Sequence, residues 1–220
     1  ILYGDISIPI SITKHVVDKS IFQLLGWRRQ LGTAHMIYRN ANHTRFEHSL
    51  GVFHLATVLV RALTVSDRRL IPVSRIAPGC YRVAGPAKKI ENIEDQNLLL
   101  LASLIHDIGN YPFCHQLERS YVSDIPSHEQ LGSMIIRGRF KDVEFLGGDS
   151  LEALGVSASR EIVADLINTR ASSSSLSPIQ RLFSEAICGP YGLDFLDYIA
   201  RDSFYCGFST RPSADYLIDH

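Results

Sequence analysis

Apolar residues recur at helical rather than strand spacing along most of the chain. From Phe46 to Leu63 the positions Val52, Leu55 and Leu59 fall three and four residues apart, and His48 lies on the same stripe, four residues before Val52. That histidine is expected to face inward. Between Leu98 and Ile108 nearly every position is apolar (Leu98, Leu99, Leu100, Leu101, Ala102, Leu104, Ile105), the pattern of a central helix buried on all sides. It ends abruptly in His106-Asp107. Further helices are predicted over Lys19–Leu31, His128–Arg139, Ser159–Asn168, Ile179–Ile187 and Asp194–Phe204.

Breakers separate these stretches. Residues 66–95 are rich in Pro, Gly, Arg and Lys and read as a long excursion, with a short β-hairpin expected near residues 80–90, around Tyr81 to Ala84. The tract from Arg170 to Pro178 holds five serines and reads as a surface loop of low complexity. The helical stretches flanking each loop are too short for separate cores. The expectation is therefore one all-α domain over residues 1–220, a helical bundle with long loops. The chain begins at Ile1 rather than Met and is read as a fragment.

Composition narrows the function classes. The 220 residues carry 22 Lys+Arg against 23 Asp+Glu, a formal charge of -1, which argues against a broad basic surface that coats duplex nucleic acid. The four cysteines, Cys80, Cys114, Cys188 and Cys206, form no CxxC pair and point to a reducing compartment, cytoplasmic or nuclear. No run approaches the roughly 18 to 20 apolar residues of a membrane span, so no membrane partner is expected. Nine histidines remain to be placed, and His is both the side chain that titrates near neutrality and the commonest metal ligand.

His106-Asp107 is the strongest local anomaly. An imidazole and a carboxylate at the end of an all-apolar helix carry a desolvation cost of several kcal/mol if unpaired, so something must compensate them. An arginine partner or a cap on the turn Gly109-Asn110-Tyr111-Pro112 is one solution. A divalent metal, suited to mixed imidazole and carboxylate ligands, is the other. Two more segments bear on the choice: inward-facing His48, and Asp194 at the start of a helix whose polar face gathers Asp194, Asp197, Tyr198 and Arg201. Each also has an ordinary reading, His48 as a core histidine, Asp194 as an N-cap and Asp197 with Arg201 as a surface i, i+4 pair. Together they supply His, His-Asp and Asp on three helices in that order. A phosphatase with a different nucleophile is disfavoured, since the chain has no GxxxxGK[ST] and no Cys-x5-Arg.

The order His48, His106-Asp107, Asp194 resembles the signature of the HD-domain metal-dependent phosphohydrolases. The neighbouring words are similar to the deoxynucleoside triphosphate triphosphohydrolase branch, which includes bacterial dGTPases and the SAM-and-HD-domain dNTPases of animals. They are Arg-Gln-Leu-Gly at 29–32, Thr-Arg-Phe-Glu-His-Ser-Leu-Gly-Val at 44–52, His-Asp-Ile-Gly at 106–109, Pro-Phe-Cys-His at 112–115, Ser-His-Glu-Gln at 127–130 and Asp-Tyr-Ile-Ala-Arg-Asp at 197–202. The resemblance implies an HD-domain helical bundle and a divalent cation (Mn, Fe, Mg, Co, Ni or Zn) held by His48, His106, Asp107 and Asp194. It implies hydrolysis of deoxynucleoside triphosphates to nucleoside and triphosphate. Catalytic positions follow as Asp107, His115 and His128 for acid and phosphate contacts, and Glu118 to orient a histidine. Substrate positions follow as Arg45 on phosphate, Gln30 and Leu31 on the sugar and base side, Tyr198 against the sugar and Asp202 on the 3'-hydroxyl.

Two positions depart from the family pattern. Asn110 stands where the family word His-Asp-x-Gly-His ends in histidine, and an amide can bond a phosphate but cannot serve as an acid at neutral pH. Phe195 stands where the animal enzymes carry a lysine that reaches phosphate. These departures keep two alternatives open: an HD phosphohydrolase for another nucleotide or single-stranded nucleic acid, and a nucleotide-binding scaffold. A homo-oligomer and a C-terminal part beyond residue 220 are expected to complete the family site. His15, His35, His43, His54 and His220 match nothing in the pattern and are read as solvent or packing histidines.

Overall fold

The computed structural model describes residues 2–65, 70, 73–77, 80–83, 89–90, 92–113, 115–118, 125–147, 149–168 and 175–208. Short helices open the chain: α1 (Ile10–Ile12), a π-helical turn (Thr13–Val17), α2 (Ser20–Gln23) and a 3-10 turn (Leu24–Trp27). The helix expected over Lys19–Leu31 is thus cut short. Arg28 turns extended, its carbonyl accepts the Arg45 amide at 2.8 Å, and Gln30 N–H donates to the His43 carbonyl at 3.0 Å. This pairing with the residues before Arg45 is tertiary, so local periodicity carries no trace of it.

Helix α3 (Arg45–Val65) confirms the long helix expected from Phe46 to Leu63, but its N-terminal half is buried on nearly every side rather than along one stripe. Thr44 and Glu47 close its first turn reciprocally: the Thr44 amide donates to Glu47 Oε2 at 2.7 Å, and the Glu47 amide to Thr44 Oγ1 at 3.4 Å. The excursion that follows contains a two-stranded antiparallel hairpin, β1 (Val73–Ala77) and β2 (Cys80–Val83), with Val73 opposite Val83. It begins earlier than the expected Tyr81 to Ala84, and Ala84 lies outside the described residues.

Helix α4 (Ile93–Ile105) is capped by Asn92, whose side chain accepts the Glu94 amide, and it buries Leu98, Leu99, Leu101, Ala102, Leu104 and Ile105. After Ile105 the chain tightens: Ile108 N–H reaches the Ile105 carbonyl at 3.0 Å, and Asn110 N–H the Asp107 carbonyl at 3.0 Å. His106 and Asp107 therefore sit on a turn rather than inside the helix. The rest is helical: α5 (His115–Glu118), α6 (His128–Ile136), α7 (Ser150–Ala153), α8 (Arg160–Ile167), α9 (Pro178–Cys188) and α10 (Leu193–Cys206). Ser127 with Gln130 and Ser177 with Gln180 form capping boxes for α6 and α9. Residues 170–174 of the expected serine-rich loop lie outside the described residues.

Helix α3 packs on α4 and α10, while α8 joins α4, α6 and α9. One apolar cluster runs through Phe22, Phe53, Leu99, Leu104, Ile108, Val163 and Phe183, all at most 2% exposed. The result is the all-helical bundle with long loops, carrying the hairpin as its one strand pair among the described residues. No helix among them is long and apolar enough to cross a membrane.

Candidate metal centre

His48, His106 and Asp107 come together in one buried group, and Asp194 lies beside its two histidines. His48 lies in the first turns of α3 with its side chain fully buried; His106 and Asp107 occupy the turn after α4; Asp194 is in the first turn of α10. His48 Nε2 is 3.0 Å from Asp194 Oδ1, 3.3 Å from His106 Nε2 and 3.6 Å from Asp107 Oδ2. His106 Nε2 is 3.7 Å from both Asp107 Oδ1 and Asp194 Oδ1. Asp194 is not the helix cap, because α10 starts at Leu193 with Gly192 in the cap position. It is the most exposed of the four, its side chain 36% open.

The outer nitrogens fix what the inner ones present. His106 Nδ1–H donates to the Ser103 carbonyl at 2.8 Å, and His48 Nδ1–H to Asp197 Oδ2 at 2.7 Å. With both Nδ1 atoms protonated, each neutral ring aims the Nε2 lone pair at the other. Two lone pairs at 3.3 Å repel unless a proton or a cation lies between them.

Charge points the same way. Two buried carboxylates, Asp107 and Asp197, and the partly exposed Asp194 face two buried guanidiniums, Arg45 and Arg201. One negative charge is left over. Burial alone would lower the His48 pKa, but hydrogen bonds to Asp194 and Asp197 and their charges override it and push the imidazole up to about 10. The metal-free cluster thus takes up a proton where a cation would sit. Asp107 is held well below the usual carboxylate range: burial would raise it, and the positive charge of Arg45 outweighs that, with further help from His106 and His48.

The spacing also fits an ion. Ligand atoms about 2.1 Å from a metal lie about 3.0 Å apart at a right angle and about 3.4 Å apart at a tetrahedral one. The observed 3.0–3.7 Å range is compatible with that. His48, His106 and Asp107, whose ligand atoms all lie within 4.8 Å of one another, are the residues that would hold a divalent cation, with Asp194 Oδ1 beside both histidines.

Around the four ligands, several expected site residues are bound to one another. Arg45 Nη1 donates to Asp107 Oδ2 at 2.6 Å and its Nη2 to the Gln30 carbonyl at 3.4 Å, which ties Gln30 to the centre through its main chain. Leu31 follows it in the same loop, half-buried. Asn110 Nδ2 donates to Asp107 Oδ1 at 2.5 Å, so the amide that stands in for the family histidine lies buried against a metal-site carboxylate. His128 is anchored by Glu118, whose Oε1 accepts both its amide at 2.5 Å and its Nδ1–H at 2.8 Å. The His128 main chain also adjoins the centre: a Cβ built on Gly109 would lie 2.2 Å from the His128 carbonyl oxygen and 2.2 Å from the Gly132 nitrogen. The side chain of His115 lies outside the described residues.

Asp194, Tyr198 and Asp202 stand four residues apart and share one face of α10. The Tyr198 hydroxyl is pushed up by burial and by the charges of Asp194 and Asp202. Its ring meets Phe195 edge to face at 5.4 Å, and Phe195 meets Tyr191 at 5.6 Å. Asp202 Oδ1 accepts His43 Nε2–H at 2.7 Å, and the His43 ring stacks on Tyr205 at 4.5 Å.

Reading the sequence missed three of these residues. His43 is buried and bonded to Asp202, not a solvent or mere packing histidine. Asp197 and Arg201 are not a surface pair, being 0% and 5% exposed. A signal for them was present, because Leu193, Asp197, Ala200 and Arg201 form an inward stripe whose first and third members are apolar. For His43 there was none, since its partner lies 159 positions away.

Residues 45–182 match the HD domain. The chain belongs to the HD-domain family. Three of the four ligand candidates fall inside that stretch, while Asp194 lies beyond it. Among relatives, the chain is 27% identical over 209 residues to the uncharacterized protein YwfO of Bacillus subtilis, covering 91% of this chain and 40% of that protein. It is 26% identical over 219 residues to the deoxynucleoside triphosphate triphosphohydrolase SAMHD1 homolog of Dictyostelium discoideum, 96% of this chain and 36% of that one. Mouse SAMHD1 is 34% identical over 107 residues, 49% of this chain and 13% of the relative. The chain thus spans well under half the length of these proteins. A hypothetical protein from Aquifex aeolicus superimposes with a TM-score of 0.67 at 27% identity, over 99% of this chain and 48% of its own. A phosphohydrolase from Bacteroides thetaiotaomicron shares the fold, with a TM-score of 0.70 at 24% identity over 99% of this chain and 44% of its own.

Proposed function

We propose that this chain is the catalytic domain of a metal-dependent phosphohydrolase that cleaves deoxynucleoside triphosphates into deoxynucleoside and triphosphate. The carrying observation is the buried group of His48, His106 and Asp107, with Asp194 beside both imidazoles, and it supports all four as ligands. The words shared with the dNTPase branch and the names of the Dictyostelium and mouse relatives support this choice of substrate. A divalent ion bound there supplies a Lewis acid for phosphoryl oxygen and lowers the pKa of bound water.

The chain's own residues do the rest. Water adds to the α-phosphorus, the bond to the 5'-oxygen breaks, and that oxygen must gain a proton. Glu118 accepts the Nδ1–H of His128 and so orients its ring, and His128 and His115 are the candidates to give that oxygen its proton. Arg45 fixes Asp107 and brings positive charge to the phosphate side. With a divalent ion the charges of Asp107, Asp194, Asp197, Arg45, Arg201 and the ion sum to about plus one, which suits an anionic substrate without a basic surface. Along α10, Asp202 stands about 12 Å from Asp194 at ~1.5 Å per residue, within reach of a sugar hydroxyl, with the Tyr198 ring between them. A homo-oligomer is part of the proposal, to be read by light scattering.

One observation favours a second reading. Asn110 is engaged on Asp107, and Phe195 offers an aromatic edge, not a cation, beside Asp194. Both remove contacts a triphosphate would use, so a monophosphate, a single-stranded nucleic acid end or a non-catalytic nucleotide-binding role is the alternative. The test is a panel of dNTPs, NTPs, monophosphates and short oligonucleotides with Mn²⁺, Mg²⁺, Fe²⁺ or Co²⁺, with products read by mass. Release of triphosphate, abolished in Asp107→Ala, is the expected result. Cleavage of monophosphate or oligonucleotide alone would move the assignment to the second reading, and no turnover with any member would leave only the binding role.

A further inference from the structure

Helix α10 grips the His48 imidazole from both sides. Asp194 Oδ1 stands 3.0 Å from Nε2, and Asp197 Oδ2 stands 2.7 Å from Nδ1. The two carboxylates are three residues apart, so one helical turn brackets one ring. The outer carboxylate is itself clamped. Arg201 Nε donates to Asp197 Oδ2 and Nη2 to Oδ1, each at 2.8 Å, a fork in which both oxygens are held and rotation about the carboxylate is blocked. Arg201 is fixed in turn beneath the Tyr3 ring, 5.8 Å from its centroid. On the α3 side, position 51 leaves just enough room, since a Cβ there would fall 1.9 Å from Asp197 Oδ1 and 2.2 Å from Arg201 Nη2.

The Asp197–Arg201 pair lies on the Nδ1 side of the His48 ring, away from the Nε2 atom that faces His106 and Asp194. Its cost in buried charge is large, and a pair of apolar side chains would fill the same space with less desolvation. We infer that the Asp197–Arg201 pair positions His48 for the metal: it fixes the tautomer with Nε2 free of hydrogen and locks the ring plane so that Nε2 points at the cation site. Asp197 is a positioning residue, acting through His48, and Arg201 acts through Asp197. Gly51 is the space that lets both approach α3.

The inference concerns cation binding and not the substrate, so it is tested on the full metal-free chain with Mn²⁺ alone as the probe. Asp197→Asn keeps the shape and an acceptor oxygen but loses the charge-assisted fork; Arg201→Lys keeps the charge and loses the fork. Calorimetric titration should show Mn²⁺ affinity falling by about 10- to 100-fold in Asp197→Asn, the usual cost of losing an outer partner of a metal-bound histidine, and by a smaller factor in Arg201→Lys. A merely structural role would not move the second readout: the ¹⁵N shifts of the metal-free His48 ring, read above about pH 10 where it has lost its second ring proton, should report Nδ1–H in the parent and a mixture of tautomers in Asp197→Asn. The inference is overturned if folded Asp197→Asn binds Mn²⁺ within about threefold of the parent, if its His48 tautomer is unchanged, or if the parent binds no Mn²⁺. A parent that binds Mn²⁺ and loses it on these substitutions but hydrolyses no nucleotide would refute the proposed activity and leave this role standing.

Discussion

Gly51→Ala sets two physical effects of opposite sign against each other. Position 51 is interior to a 21-residue helix, where replacing Gly by Ala gains roughly 1 kcal/mol from backbone entropy and propensity. The same methyl group would sit 1.9 Å from Asp197 Oδ1, 2.2 Å from Arg201 Nη2 and 2.7 Å from Asp197 Cγ. Comfortable carbon contacts need about 3.5 Å, so the carboxylate and guanidinium must retreat by roughly 1.5 Å. That displacement exceeds what hydrogen bonds of 2.7–2.8 Å to His48 and Arg201 tolerate. Disrupting a fully buried charge pair costs about 3–5 kcal/mol, which leaves a net loss of about 2–4 kcal/mol after the propensity gain. Urea unfolding of the metal-free protein, followed by circular dichroism, measures the difference as a lower midpoint at unchanged slope. A Gly51→Ala protein as stable as the parent, or more so, would show that propensity wins and that the α3–α10 contact is loose.

Two further expectations follow from the same geometry. The His48 imidazole is raised from 6.5 to about 10, so its proton stabilises the metal-free fold fully below about pH 6.5, and that contribution is lost as pH rises through 10. A cation must displace this proton, so Mn²⁺ affinity should rise about tenfold per pH unit from 6.5 toward 10, with about one proton released per ion; titrations in buffers of different ionisation heat count it, and a flat profile would contradict the assignment of Nε2 as a ligand. At a distance from the site, Ser177→Ala removes the α9 capping box and should cost about 1 kcal/mol in urea unfolding without altering Mn²⁺ affinity.

Much of the fold was legible because its helices are long and strongly patterned. The stripe through His48, Val52, Leu55 and Leu59 and the apolar run from Leu98 to Ile105 state their periods locally, and both became helices with His48 and His106 turned inward. The grouping of His48, His106 and Asp107 was legible for a different reason: residues of metal-binding type sit in short recognisable words. What escaped was pairing across long intervals. Arg28 and Gln30 leave their helix to meet Arg45 and His43, Asp202 finds His43, and Asp197 turns inward to His48, 149 positions earlier. An i, i+4 Asp–Arg pair reads the same on a solvated face as in a core, and only the packing of α10 on α3 decides between them.

The turn after α4 meets α6 backbone to backbone at Gly109 and Gly132, with the Ile108 side chain also against Gly132. With hydrogen at Gly109 and at Gly132, the chain bearing His106-Asp107 rests directly on the chain bearing His128. The separation of these two stretches is therefore held largely by main chain, and a single methyl at Gly109 would push them apart together with everything that depends on their spacing.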